Sequence, residues 1–152
     1  MLTLSRSPNR AIDALVNLVE QFRAEHARIQ TGLVAAEAVS ADAVKLLAQL
    51  VSMRAEVLSH FTKKDALYPA LLAQCAKVAD TPGGLLTRIF ESNMKVQSAA
   101  VKRFFEGLET AAPVQRASSF RTVATVIRQR FGTEESAVFP IYQRTFKGEK
   151  TE

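Results

Sequence analysis

Few side chains in this sequence can do chemistry, and they fall into two kinds. His26, His60 and Glu134 carry lone pairs that a metal ion accepts as ligands, whereas Lys64 and Arg130 are donors only. The chain holds two histidines in all, so a site needing many imidazoles is ruled out from the start. Two stretches echo each other: His60-Phe61-Thr62-Lys63-Lys64-Asp65-Ala66-Leu67-Tyr68-Pro69 and Arg130-Phe131-Gly132-Thr133-Glu134-Glu135-Ser136-Ala137-Val138-Phe139-Pro140. In each, an aromatic follows an imidazole or a cation, an ionisable pair comes a helical turn later, and an apolar-aromatic-Pro triplet closes the segment. The chemistry open to these groups is either a sparse cation site built from His26, His60 and Glu134, or a buried polar network of Lys64, Asn93, Arg130 and Glu134. Asp65 and Glu135 stand by as further acceptors.

Other chemistries lack their parts. There is no nucleophile elbow, no phosphate-cradling glycine loop and no His-x-x-x-His pair, and nothing indicates an enzyme. The Gly83-Gly84 pair belongs to a loop or helix start. The single Cys75 cannot form an internal disulfide, fits a reducing compartment and reads as a small helix residue. A net charge of +5 favours acidic partners, yet acids are interspersed with the bases throughout, and no basic stripe alternates with stacking aromatics, which argues against nucleic acid. The local cluster Lys95 to Arg103 and the tail residues Arg144, Lys147 and Lys150 read as solvated faces.

The elements that must carry these groups are helices. Good helix formers dominate the composition, and no hairpin turn with alternating flanks occurs. After a start at Ser7-Pro8, the residues Ile12, Leu15, Val16, Val19, Phe22, His26, Ile29 and Leu33 recur at steps of three and four. A second start at Ser40 opens Leu46, Leu50, Met53, Val57, His60, Lys64, Leu67 and Leu71, with Pro69 expected to kink or end that helix. Asp80-Thr81-Pro82-Gly83-Gly84 is the strongest loop signal, and the third helix should turn Leu86, Ile89 or Phe90, Asn93, Val96, Ala100 and Phe104 inward. Beyond Ala111-Ala112-Pro113 the last helix reads Phe120, Val123, Ile127, Arg130, Glu134, Ala137 and Ile141, with a bend at Pro140. The expectation is one all-α domain over residues 1–152, an antiparallel up-down four-helix bundle with its core at about 8–146 and a short flexible C-terminal tail. No run is long enough for a signal peptide or a spanning helix, and the default compartment is the cytoplasm.

Glu25-His26-Ala27-Arg28-Ile29, the His60 to Pro69 segment, and Arg130 to Pro140 together resemble the hemerythrin-like, or HHE cation-binding, domain, over roughly residues 12 to 144. Members of that family hold two irons inside a four-helix bundle, through several histidines and two bridging carboxylates, and they bind oxygen, sense oxygen or redox state, or store iron. The resemblance places His26 at the first-helix histidine, His60 at the second-helix histidine and Glu134 at the fourth-helix acid. It also exposes departures. Lys64 stands where the second helix should offer a carboxylate, Arg130 stands at the fourth-helix histidine, and the third helix shows Asn93 and Val96 where the family has imidazoles. Ser59-His60-Phe61 and Arg130 to Glu135 also resemble, faintly, the bacterial regulators of sigma factor.

The expected function is a non-enzymatic regulatory or protein-interaction module on a hemerythrin-like bundle that has lost its di-iron site. No cofactor is expected, and the partner is another protein, with a second copy of the chain left open and no membrane. The alternative is a residual oxygen or redox sensor that holds iron or zinc through His26, His60 and Glu134. A histidine phosphotransfer domain would need an exposed imidazole, whereas both histidines fall on apolar stripes.

Overall fold

The computed structural model describes residues 8–147, with side chains from 17 to 145. The Ser7 cap, the inward stripe residues Ile12, Leu15 and Val16, the C-terminal tail and the solvated Lys147 and Lys150 side chains therefore lie outside what is described. Four rods make up the molecule, with no strand among the described residues. They are α1 (Pro8–Ala38), α2 (Ala43–Lys77), α3 (Thr81–Glu106), and a fourth rod in which α4 (Pro113–Thr133) runs through a π-helical segment (Glu134–Val138) into α5 (Phe139–Lys147). Short connections join consecutive rods that pack on one another, which gives the antiparallel four-helix bundle that the periodicity calls for.

Local chemistry sets the helix ends, and two of them differ from expectation. Ser40 sits in the turn. Asp42 is the cap of α2, its Oδ1 accepting from the amides of Val44 and Lys45 at 3.1 Å each. The Asp80-Thr81-Pro82-Gly83-Gly84 cluster is a helix start rather than a loop, because Asp80 Oδ1 accepts from the Gly83 amide at 3.0 Å and Pro82 sits in the first turn, where no amide is needed. Between α2 and α3 the Asp80 amide reaches back to the Cys75 carbonyl at 2.8 Å while Ala79 takes a φ of 57°, the left-handed closing residue that usually is glycine.

Neither proline ends its helix. α2 runs past Pro69 to Lys77, held by the buried Tyr68, Leu71 and Cys75 that follow the same face. In the fourth rod, one extra residue is absorbed by the π-helical segment, where the Phe139 amide bonds to the Glu134 carbonyl five residues back. This accounts for a spacing of ten residues from Arg130 to Pro140 against nine from His60 to Pro69. It also shifts the inward face, so that Ala137 is half-buried and Val138 and Phe139 are buried instead.

The stripes expected on α1 and α2 are buried at every described position. α3 is rotated relative to expectation: Gly83, Thr87, Met94, Ser98, Val101 and Phe105 face inward, whereas Asn93 and Ala100 are exposed and so are Leu86, Ile89 and Val96. Two apolar clusters result. One gathers Ile29, Leu33, Leu50, Val57, Phe105 and Ile127; the other gathers Phe22, Leu67, Leu71, Met94, Val138 and Phe139. On every rod the polar residues fall between the members of one cluster and those of the other.

Candidate functional site: a polar layer between two apolar cores

Lys64 is the centre of the layer. It stands on the continuous apolar stripe of α2, so the helix that buries Val57, Phe61 and Leu67 must carry the ammonium inward as well. Its Nζ donates to Glu134 Oε2 and, at 2.8 Å, meets His26 Nε2. Three rings surround it, Phe22 and Phe139 with centroids at 5.0 Å and Phe131 at 5.7 Å. Lys64 and Glu134 have fully buried side chains. Burial pulls the Lys64 pKa down to about 8, against the charge and hydrogen bond of Glu134, which raise it.

The contacts fix the histidine tautomers. His26 Nε2 faces an ammonium and must present its lone pair, so Nδ1 carries the proton and donates to Glu135 Oε1 at 2.9 Å. The His26 ring stacks on Phe131 at 3.8 Å between centroids. His60 lies edge-on to it at 4.9 Å and contacts Glu25 Oε2 through Nδ1 at 2.5 Å, which leaves His60 Nε2 buried without a hydrogen-bond partner among the described residues. Lys63 reaches the other oxygen of Glu25 from the surface. Burial, with the nearby Lys64 ammonium second, holds the pKa of both histidines down to about 2. Both are neutral at pH 7.

Arg130 is the second buried cation. Its guanidinium lies 4.5 Å from the Phe61 ring centroid, donates to Ser98 Oγ at 2.6 Å, and places Nε 3.4 Å from Glu134 Oε1. That last approach is an ion pair without hydrogen-bond geometry, and Tyr68 Oη nearby also makes no hydrogen bond. Burial raises the Tyr68 phenol above its usual range. Asp65 stands farther off, its Oδ1 3.9 Å from Arg130, and is held mainly by Ser98 at 2.9 Å and Lys102 at 2.8 Å. The wholly buried charges are thus Lys64, Arg130 and Glu134.

Of the residues singled out from the sequence, His26, His60, Lys64, Arg130 and Glu134 converge. Asn93 does not, and it takes no part in a buried network. α3 is apolar on two sides, which leaves its register ambiguous in the sequence, and the packing of Met94, Val101 and Phe105 resolves it so that Ser98 faces Arg130. Glu135 serves His26 rather than a cation. Sequence reasoning missed Glu25 as the His60 partner and Ser98 as the polar group of α3. The signal for Ser98 was its place four residues after Met94 and three before Val101.

This donor set does not fit a di-iron or a zinc centre. His26 Nε2 and Glu134 Oε2 are committed to Lys64, and Glu134 Oε1 faces Arg130, so an incoming cation would meet two fixed positive charges at the lone pairs it needs. Among the described residues, no group of three or more His, Cys, Asp or Glu side chains is arranged to hold a metal.

Comparison with known proteins gives one match. The family model described as the hemerythrin HHE cation binding domain covers residues 17–142. No curated protein and no solved structure matches the chain significantly. None of the helices described is long and apolar enough to cross a membrane.

Proposed function

From the premise that this chain belongs to the hemerythrin HHE cation-binding domain family, we propose that it is a non-enzymatic regulatory module that acts by binding another protein. Its own ammonium and guanidinium take the place of inorganic ions. One observation carries this reading: Lys64 sits between His26 Nε2 and Glu134 Oε2 inside a ring of Phe22, Phe131 and Phe139. The ligand-type lone pairs point at an ammonium, and the carboxylates of Glu25 and Glu135 orient the imidazoles from behind, as outer partners orient metal-bound histidines.

An ammonium cannot change oxidation state or open a coordination position. It can hold four rods in register, and such a pairing contributes more to uniqueness of packing than to net stability. The bundle would then act through its outer surface. The test is elemental analysis of protein purified from iron- and zinc-supplemented cells. Metal far below one equivalent is expected, together with a denaturation midpoint unmoved by chelator. Stoichiometric iron or zinc that disappears in His26→Ala and His60→Ala would refute the reading.

That refuting result would install the second reading, a cation sensor built on His26, His60 and Glu134. What favours it is the pair of buried acceptors left unpartnered, His60 Nε2 and Glu134 Oε1.

A further inference from the structure

α3 has a second apolar face that the bundle does not cover. At about 100° per residue, Leu85, Ile89, Ser92, Val96, Ala99 and Arg103 follow one another at steps of four and three, on the side opposite Met94, Ser98 and Val101. Leu85, Ile89 and Val96 are 60%, 57% and 73% exposed, and Leu86 beside them is 44% exposed. The other large apolar side chains that are exposed, Val34, Val44, Val51 and Val114, are spread over α1, α2 and α4. A heptad seam on an outer helix face is the pattern a second helix packs against.

The charges beside the seam have one sign. Arg88, Lys95 and Lys102 recur every seven residues along one edge, and Arg103 closes the seam at its far end. Glu91 and Asp65 answer Lys95 and Lys102 only in part, at 3.9 Å and 2.8 Å. The opposite edge is uncharged and leads past Ala100 and Phe104 into a cleft of about 450 Å³ between the end of α3 and the start of α4, floored by Leu108 and Val123.

We propose that the outer face of α3 docks an amphipathic helix of a partner protein whose apolar stripe is edged by acidic residues. It would lie along Leu85 to Arg103, a run of about 28 Å, and anchor one large side chain in the cleft. Charge selects this occupant. A second copy would bring a basic edge against a basic edge in a chain that already carries +5. A bilayer surface favours bulky apolar side chains, whereas Ser92, Ala99 and Ala100 leave hollows suited to receive the side chains of a facing helix. This proposal rests on the reading of the chain as an interaction module and names the chemistry of the partner. Metal content and helix binding are measured separately, so either can fail alone.

The probe is a synthetic amphipathic helix of about three heptads, with Leu at the seam positions and Glu along both edges, compared with the same peptide carrying Lys for Glu. Binding to the full chain is followed by fluorescence anisotropy and mapped by amide chemical shifts. The acidic peptide is expected to bind at least about ten-fold more tightly than the basic one, with shifts confined to α3 and the start of α4. Ile89→Asn with Val96→Asn, and separately Arg88→Glu with Lys95→Glu, should each weaken it by about ten-fold while the circular dichroism stays unchanged. Equal binding of the two peptides, or shifts on another face, overturns the proposal. Dimerisation of the chain through α3 in sedimentation, or α3-dependent binding to anionic phosphatidylserine vesicles, overturns it in favour of those occupants.

Discussion

Lowering the pH from about 7.5 to about 5 should remove roughly 4 kcal/mol of folding stability, through two side chains alone. His26 and His60 are both about 1% exposed and hold their pKa near 2 in the folded chain, against 6.5 when free. Below the free value, the unfolded chain takes up protons that the folded chain refuses. The stabilising contribution is therefore complete above pH 6.5 and is lost as the pH falls toward 2. At pH 5 each histidine accounts for about 2 kcal/mol, and a typical domain has only about 5 to 15 kcal/mol to lose. His26 gives the clearest reason: a proton on its Nε2 would face the Lys64 ammonium at 2.8 Å. The assay is urea denaturation at several pH values in constant salt, with the imidazole signals of the folded protein followed by NMR. Most carboxylates keep their charge above pH 5, so the histidines are isolated in that window. A stability change under about 1 kcal/mol, or an imidazole titrating near 6.5 in the folded protein, would refute the buried, neutral assignment.

Glu134→Ala leaves Lys64 and Arg130 buried without their shared anion and should cost about 3 to 5 kcal/mol in urea melts, with metal content unchanged. A cost under about 1 kcal/mol would mean that water reaches the layer. Ser98→Ala removes the one short hydrogen bond of Arg130 and a donor to Asp65, and should lower stability by about 1 to 3 kcal/mol. Ala79→Gly should raise stability by about 1 kcal/mol, because the left-handed backbone there strains any residue with a Cβ; an unchanged or lower denaturation midpoint would count against that turn.

The fold was legible because burial on α1, α2 and α4 writes itself as a period, and polar intruders on such a stripe stand out against it. His26, His60, Lys64, Arg130 and Glu134 were all found that way. α3 failed the same test for a physical reason: apolar residues on two opposite faces give two periods of similar strength, and only the neighbours decide which turns inward. Glu25 was hidden differently. It flanks the stripe on α1, and its bond to His60 depends on how two helices lie side by side, which no spacing within one helix encodes. Asp80 was misread because Asp, Pro and Gly open a helix as readily as they make a loop.

The π-helical turn at Glu134–Val138 makes the end of the fourth rod sensitive to length rather than to composition. Removing one residue from that turn would restore a plain α-helix and swing everything beyond it by about 100°. Val138, Ile141 and Tyr142 would leave the space between Phe22 and Leu71, although no side chain among them had been altered. A single-codon deletion of the kind surface loops absorb would here detach the last two turns from the bundle, while Glu134, upstream of the rotation, kept its hold on Lys64.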